Sequence, residues 1–159
     1  MANCVYWLKT LRGTLMKRIF LFITTLVVLA PVTSFSEEVN VANVAVGKSE
    51  FVMACASCHG ESGKGDGDLA KILEIETPDL TTITKRTGGG EFPFRNTLLL
   101  IDGRNNIRAH GGEMPIWGDR YFAAARASQK PYDVSEEAAE MAALGRMTAL
   151  VYYLESIQE

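Results

Sequence analysis

The sequence predicts an all-α domain behind an N-terminal segment of different character. Three observations carry that expectation. The C-terminal stretch "DVSEEAAEMAALGRMTALVYYLESIQE" repeats apolar residues at helical spacing, with Met147, Leu150, Val151, Leu154 and Ile157 on one stripe. A second apolar run, "FPFRNTLLLIDG", opens near Pro93 and stops at Gly103, as a short helix does. No segment alternates apolar and polar residues with period two for long enough to make a strand.

The N-terminal segment is set apart by charge. Lys9, Arg12, Lys17 and Arg18 precede residue 36 and no acidic residue does; Glu37 to Glu159 holds 12 basic and all 19 acidic residues, a net charge of −7. Met16 to Arg18 supply a positive start. An apolar run of 12 residues follows, Ile19 to Ala30, and Pro31 breaks it. Ser34 and Ser36 are small residues at the −3 and −1 positions of a cut before Glu37. Residues 1–36 therefore read as an export signal, with translation starting at Met16 and Cys4 outside the functional chain. Residues 37–159 read as one exported, periplasmic domain. A spanning helix needs about 20 apolar residues, which this run lacks. An uncleaved N-terminal membrane anchor is the alternative. The overall charge of −3 gives no reason to expect a nucleic-acid partner.

Within the domain, "GKSEFVMACASCH" reads as the first helix. Phe51 and Cys55 are four apart and share a face, and Gly47 lies four before Phe51 on the same face. Glycine costs about 1 kcal/mol in a helix interior, so Gly47 should have a packing reason. "GESGKGDGD" is an irregular loop by composition. In "FPFRNTLLLIDG", Leu98, Leu99, Leu100 and Ile101 are apolar nearly all round, which suits burial. "DRYFAAARAS" should form a short helix. The last helix should open on a capping pair of Asp133 and Glu136, with Met141 and Met147 as core fillers.

The chemistry concentrates in "CASCH", Cys55 to His59. Four readings compete. A disulfide across two residues closes a tiny loop and stabilises little. A thioredoxin-like pair should follow a strand in a βαβ pattern, which is missing. A zinc site would need Cys55, Cys58, His59 and the distant His110 together. Covalent haem attachment is the fourth, and C-x-x-C-H is its signature: two thiols bond the porphyrin edge and His59 binds the iron. One haem c, held through Cys55 and Cys58, is the cofactor this reading implies.

Electron-transfer haems fill the sixth iron position with Met or His, and ligand-binding haems leave it open. Met114, in "RAHGGEMPIWGDRY", sits among Gly111, Gly112 and Pro115 in a loop that can deliver its thioether end-on. His110 is the rival ligand, and a core position is the plain alternative for Met114.

With "CASCH" followed by "GGEMPIWG", and Met114 lying 55 residues after His59, residues 37–159 resemble a class I, single-haem c-type cytochrome of the bacterial kind with a MPxWG methionine loop. The resemblance implies the cytochrome c fold, with N- and C-terminal helices crossing and small helices wrapped around one haem. It implies that Gly47 and Phe51 meet the C-terminal helix at Tyr153. It places Pro78, in "TPDLTTI", where a proline carbonyl accepts the proton on the far nitrogen of the haem histidine; an ordinary loop proline is the alternative. Arg104 and Trp117 lie on segments expected to flank the haem. Arg104 can pair with a propionate or stand as a surface ion-pair residue, and the Trp117 indole can donate to a propionate or be a core aromatic.

The expected function is electron transfer without catalysis, since no general base, nucleophile or phosphate loop is arranged in the sequence. The expected partners are redox proteins: a membrane oxidase, a bc-type complex or a periplasmic dehydrogenase. The alternatives are a dedicated haem subunit of such a complex and, more remotely, an open-site haem sensor.

Overall fold

The computed structural model describes residues 34–105, 114–128 and 134–159. Residues 1–33, which hold all but the last three residues of the expected export signal together with Met16 and Cys4, lie outside the described residues, as do His110 and Asp133. Glu38 to Glu159 forms one compact unit. The described residues are helical and contain no strand. The elements are α1 (Ser34–Ala54), α2 (Ala56–His59), α3 (Ile83–Arg86), α4 (Phe94–Asp102), α5 (Trp117–Ser128) and α6 (Glu136–Ser156), with 3-10 turns at Asp68–Ile72 and Leu80–Thr82.

The crossing of α1 and α6 organises the core. Phe51 is fully buried, with its ring centroid 5.2 Å from that of Tyr153. Gly47 lets the two backbones approach: a Cβ there would collide with the Ala149 carbonyl and stand 2.8 Å from the Tyr153 Cβ. This is the packing reason that a glycine in mid-helix requires. Met147, Leu150, Val151 and Leu154 form the buried face of α6. Helices α4 and α5 both pack against α6 and against each other.

Several expectations change in detail. The first helix starts earlier than Gly47, at Ser34, and breaks after Ala54. Backbone bonds explain the break: the Cys58 and His59 amides both donate to the Cys55 carbonyl, at 3.1 and 2.9 Å, which tightens the turn holding the motif. Helix α5 begins at Trp117, two residues before Asp119. The cap of α6 is Ser135 instead of an Asp133–Glu136 pair; Ser135 has extended backbone, and its hydroxyl accepts from the Ala138 amide at 3.2 Å. Met147 is buried, but Met141 is 68% exposed and is no core filler, because it falls on the outer side of α6. The turns at Asp68–Ile72 and Leu80–Thr82 and helix α3 have too few residues to leave a periodic trace.

Gly118 is the second glycine with a steric reason. A Cβ on it would strike both the Arg104 guanidinium and the Asp102 carboxylate. Arg104 donates from Nε to Asp102 Oδ1 at 2.6 Å and from Nη1 to Glu140 Oε2 at 2.8 Å. That network ties the end of α4 to α6 directly over the start of α5.

Candidate functional site

Two cavities, of about 240 and 310 Å³, share Cys55, His59, Pro78 and Met114 as lining residues. They are two parts of one crevice. Cys58, Leu69, Leu73, Ile75, Trp117 and Arg120 are among the residues that line the first part. Phe51, Ile83, Thr97, Leu100, Ile101 and Leu154 help close the second. The lining is mainly apolar, so the crevice suits a large, flat, apolar group.

The loop after the motif is wound back onto it. Gly65 donates to the His59 carbonyl at 2.7 Å and Gly67 to the Cys58 carbonyl at 3.1 Å. A side chain on Gly65, which has φ +83°, would meet the Thr77 carbonyl, so the glycine-rich composition of this loop is what lets it lie flat against the Pro78 segment. The Pro78 segment is anchored in turn by the C-terminus. Gln158 Nε2 donates to the Leu80 carbonyl at 2.8 Å, and Gln158 Oε1 accepts from the Thr84 amide at 2.9 Å.

His59 is 7% exposed. Its Nδ1 lies 3.2 Å from the Pro78 carbonyl oxygen, which can only accept, so Nδ1 carries the proton. In the neutral ring Nε2 is then the nitrogen that bears the lone pair, and the bond fixes the ring orientation. Cys55 and Cys58 are both free thiols, so the disulfide reading does not describe them. Burial pushes the Cys55 thiol up to about 12, with Cys58 and Glu50 adding to the effect. Cys55 is therefore a protonated, sheltered thiol rather than a redox thiolate. Among the described residues no three His, Cys, Asp or Glu gather as a metal-ligand set.

The expected site residues separate at this point. Cys55, Cys58, His59, Pro78, Met114 and Trp117 all line the crevice. Arg104 lines neither part. Its guanidinium pairs with Asp102 and Glu140, the arrangement expected of an ion-pair residue. Trp117 packs against Tyr121 with centroids 5.7 Å apart, and the Arg120 guanidinium sits 5.3 Å from the Trp117 ring centroid. Arg86 and Arg120 are lining cations that sequence reasoning missed. Nothing in their local pattern distinguishes them from surface arginines. Thr97 was also missed, although a lone hydroxyl inside an apolar helical run is a weak signal of a special surface.

An all-α domain with two free thiols and an oriented imidazole at the mouth of an apolar crevice defines the class of covalent haem proteins. The family model for cytochrome c matches residues 44–158, and the chain belongs to the cytochrome c family. No curated protein and no solved structure matches it. Membership implies a covalently bound haem c and a role in electron transfer.

The residues present fit that group. The thiols are unpaired, the imidazole presents one nitrogen, and the crevice walls are apolar. The Thr77 hydroxyl, buried on a residue that lines the first part, has no partner among the described residues. A buried hydroxyl without a partner is costly, and a bound polar substituent or water would satisfy it.

Proposed function

We propose that the chain is an exported, periplasmic electron carrier, not an enzyme, with one haem c attached through Cys55 and Cys58 and iron ligated by His59 and Met114. The observation that carries the ligation is the position of Met114. It is remote from His59 in sequence yet lines both parts of the same crevice. When bound, the haem supplies a one-electron couple.

The chain's own residues set the conditions for that couple. The Pro78 carbonyl holds the His59 ring and raises its basicity through Nδ1. The Met114 thioether is a soft, neutral donor that favours the reduced state and raises the potential. Phe51, Ile101, Leu150 and Leu154 exclude water from the second part of the crevice. Among the described residues that line the crevice, Arg120 is a cation that could meet a haem propionate, and Arg86, which also donates to the Asp79 carbonyl and the Thr82 hydroxyl, is a second. The acidic domain favours a redox partner with a basic patch, such as a membrane oxidase, a bc-type complex or a periplasmic dehydrogenase. Among the described residues, no helix is long and apolar enough to cross a membrane.

The test is spectroscopic. Ferric holoprotein should show the weak near-infrared charge-transfer band of sulfur-ligated haem, and ferrous holoprotein should not bind carbon monoxide rapidly. Met114→Ala should lose the band and gain carbon monoxide binding. A wild-type protein without the band, or with rapid carbon monoxide binding, contradicts the assignment.

A further inference from the structure

Glu50 lines neither part of the crevice, yet it is 7% exposed at the crossing of α1 and α6. Its carboxylate accepts two charge-assisted hydrogen bonds from Arg146, Nε to Oε1 at 2.7 Å and Nη2 to Oε2 at 2.8 Å. The same guanidinium stands 4.4 Å from the ring centroid of Tyr121, itself 3% exposed. The Tyr121 hydroxyl is buried, and the Glu50 carboxylate acts on it through charge and hydrogen bonding. Glu50, Arg146 and Tyr121 thus form a polar cluster inside the helix crossing; Tyr121 shares the buried core with Cys55 and packs on Trp117, which lines the crevice.

Stability explains this cluster poorly. Gly47, Phe51 and Tyr153 already fix the register of the two helices. An apolar pair of the same volume generally holds an interface as well as a buried ion pair, because desolvation offsets most of the attraction. The cluster has a directional consequence instead. The Glu50 side chain is 10% exposed and the Arg146 side chain 36%. Water screens the exposed cation far more than the buried carboxylate, so the field left inside the domain is negative. One neighbour registers it: burial pushes the Tyr121 phenol pKa up, and the Glu50 charge adds to the push. The same negative charge favours added positive charge nearby.

Oxidation of a haem adds one positive charge at the iron, and Cys55 fixes the porphyrin edge next to this cluster. We infer that Glu50, held in place by Arg146, is a tuning residue for electron transfer, whose buried charge lowers the haem reduction potential below the value set by the axial ligands. The inference rests on the crevice being the haem site.

The test is a spectroelectrochemical titration of holoprotein at neutral pH. It compares wild type, Glu50→Gln, the double variant Glu50→Met with Arg146→Met, and Glu140→Gln as a control that cuts an ion pair on α6 whose partners do not line the crevice. Both Glu50 variants should show an upward shift of the midpoint potential while keeping the wild-type near-infrared band, and Glu140→Gln should coincide with wild type. A Glu50 variant with a native spectrum and an unshifted or lowered potential overturns the inference. If Glu50→Gln does not accumulate, the double variant decides, since it leaves no unpaired charge behind. Failure of the haem reading itself looks different: the pigment then does not remain on the denatured polypeptide.

Discussion

At the scale of single residues, close approach decides more than chemical type. Gly118 is small because the Arg104–Asp102 pair occupies the space where a side chain would go. Gly118→Ala should cost about 1–3 kcal/mol in urea unfolding, the usual range for overpacking a tight contact. Gly47→Ala should cost at least as much, since its obstacle is backbone and cannot swing aside. The residues proposed to hold the haem were legible in the sequence to the extent that they form a contiguous motif. Cys55, Cys58 and His59 stand within five positions, and Met114 is marked by the glycines and proline around it. Arg104 was legible only as an arginine near the right place. Its pairing with Glu140 spans 36 positions and leaves no local trace.

At the scale of elements, the helix crossing and the anchored loops hold the crevice open. The long, periodic helices could be read from sequence because one stripe of each must be buried. The short turns between residues 68 and 86 could not, because they are held by contacts with distant segments rather than by periodicity. Gln158 is the main such contact, joining α6 to the Pro78 segment through the Leu80 carbonyl and the Thr84 amide. Gln158→Ala should destabilise the protein by about 1–2 kcal/mol, the net worth of these bonds, and should broaden the nuclear magnetic resonances of the His59 ring. The Arg104 network adds a pH dependence. Its hydrogen bond to Arg104 holds the Asp102 carboxyl below its ordinary value, and Glu140 is lowered the same way. Depressed folded-state values mean that the stabilisation is fully present above the unfolded carboxylate pKa of about 4 and is lost as the pH falls through the folded value. The stability difference between wild type and Arg104→Gln should therefore be constant between about pH 5 and about pH 8 and should shrink in stronger acid, as followed by urea unfolding.

At the scale of the whole molecule, the crevice leaves apolar side chains exposed that a bound group would cover. Leu69 and Ile75 in the first part and Leu100 in the second are each more than a third exposed, and covering apolar surface is worth roughly 25 cal/mol per Å². A flat apolar group seated there would become part of the core. A Cys55→Ala, Cys58→Ala double variant should lose most of its helical circular dichroism, and a native spectrum would show that the core closes without the group. The all-α class was readable from periodicity, and the wrapping of helices around the motif was what the resemblance to c-type cytochromes implied. The division of the crevice into two parts was not, because it arises where five separate segments meet.

The most direct test of the account is whether iron porphyrin stays with the polypeptide after denaturation and extraction with acidified acetone. The account predicts that the colour remains with the protein, that the alkaline pyridine spectrum is of the thioether-linked type, and that it amounts to one haem per chain. A colourless polypeptide, with the pigment in the solvent or absent from the start, would contradict it.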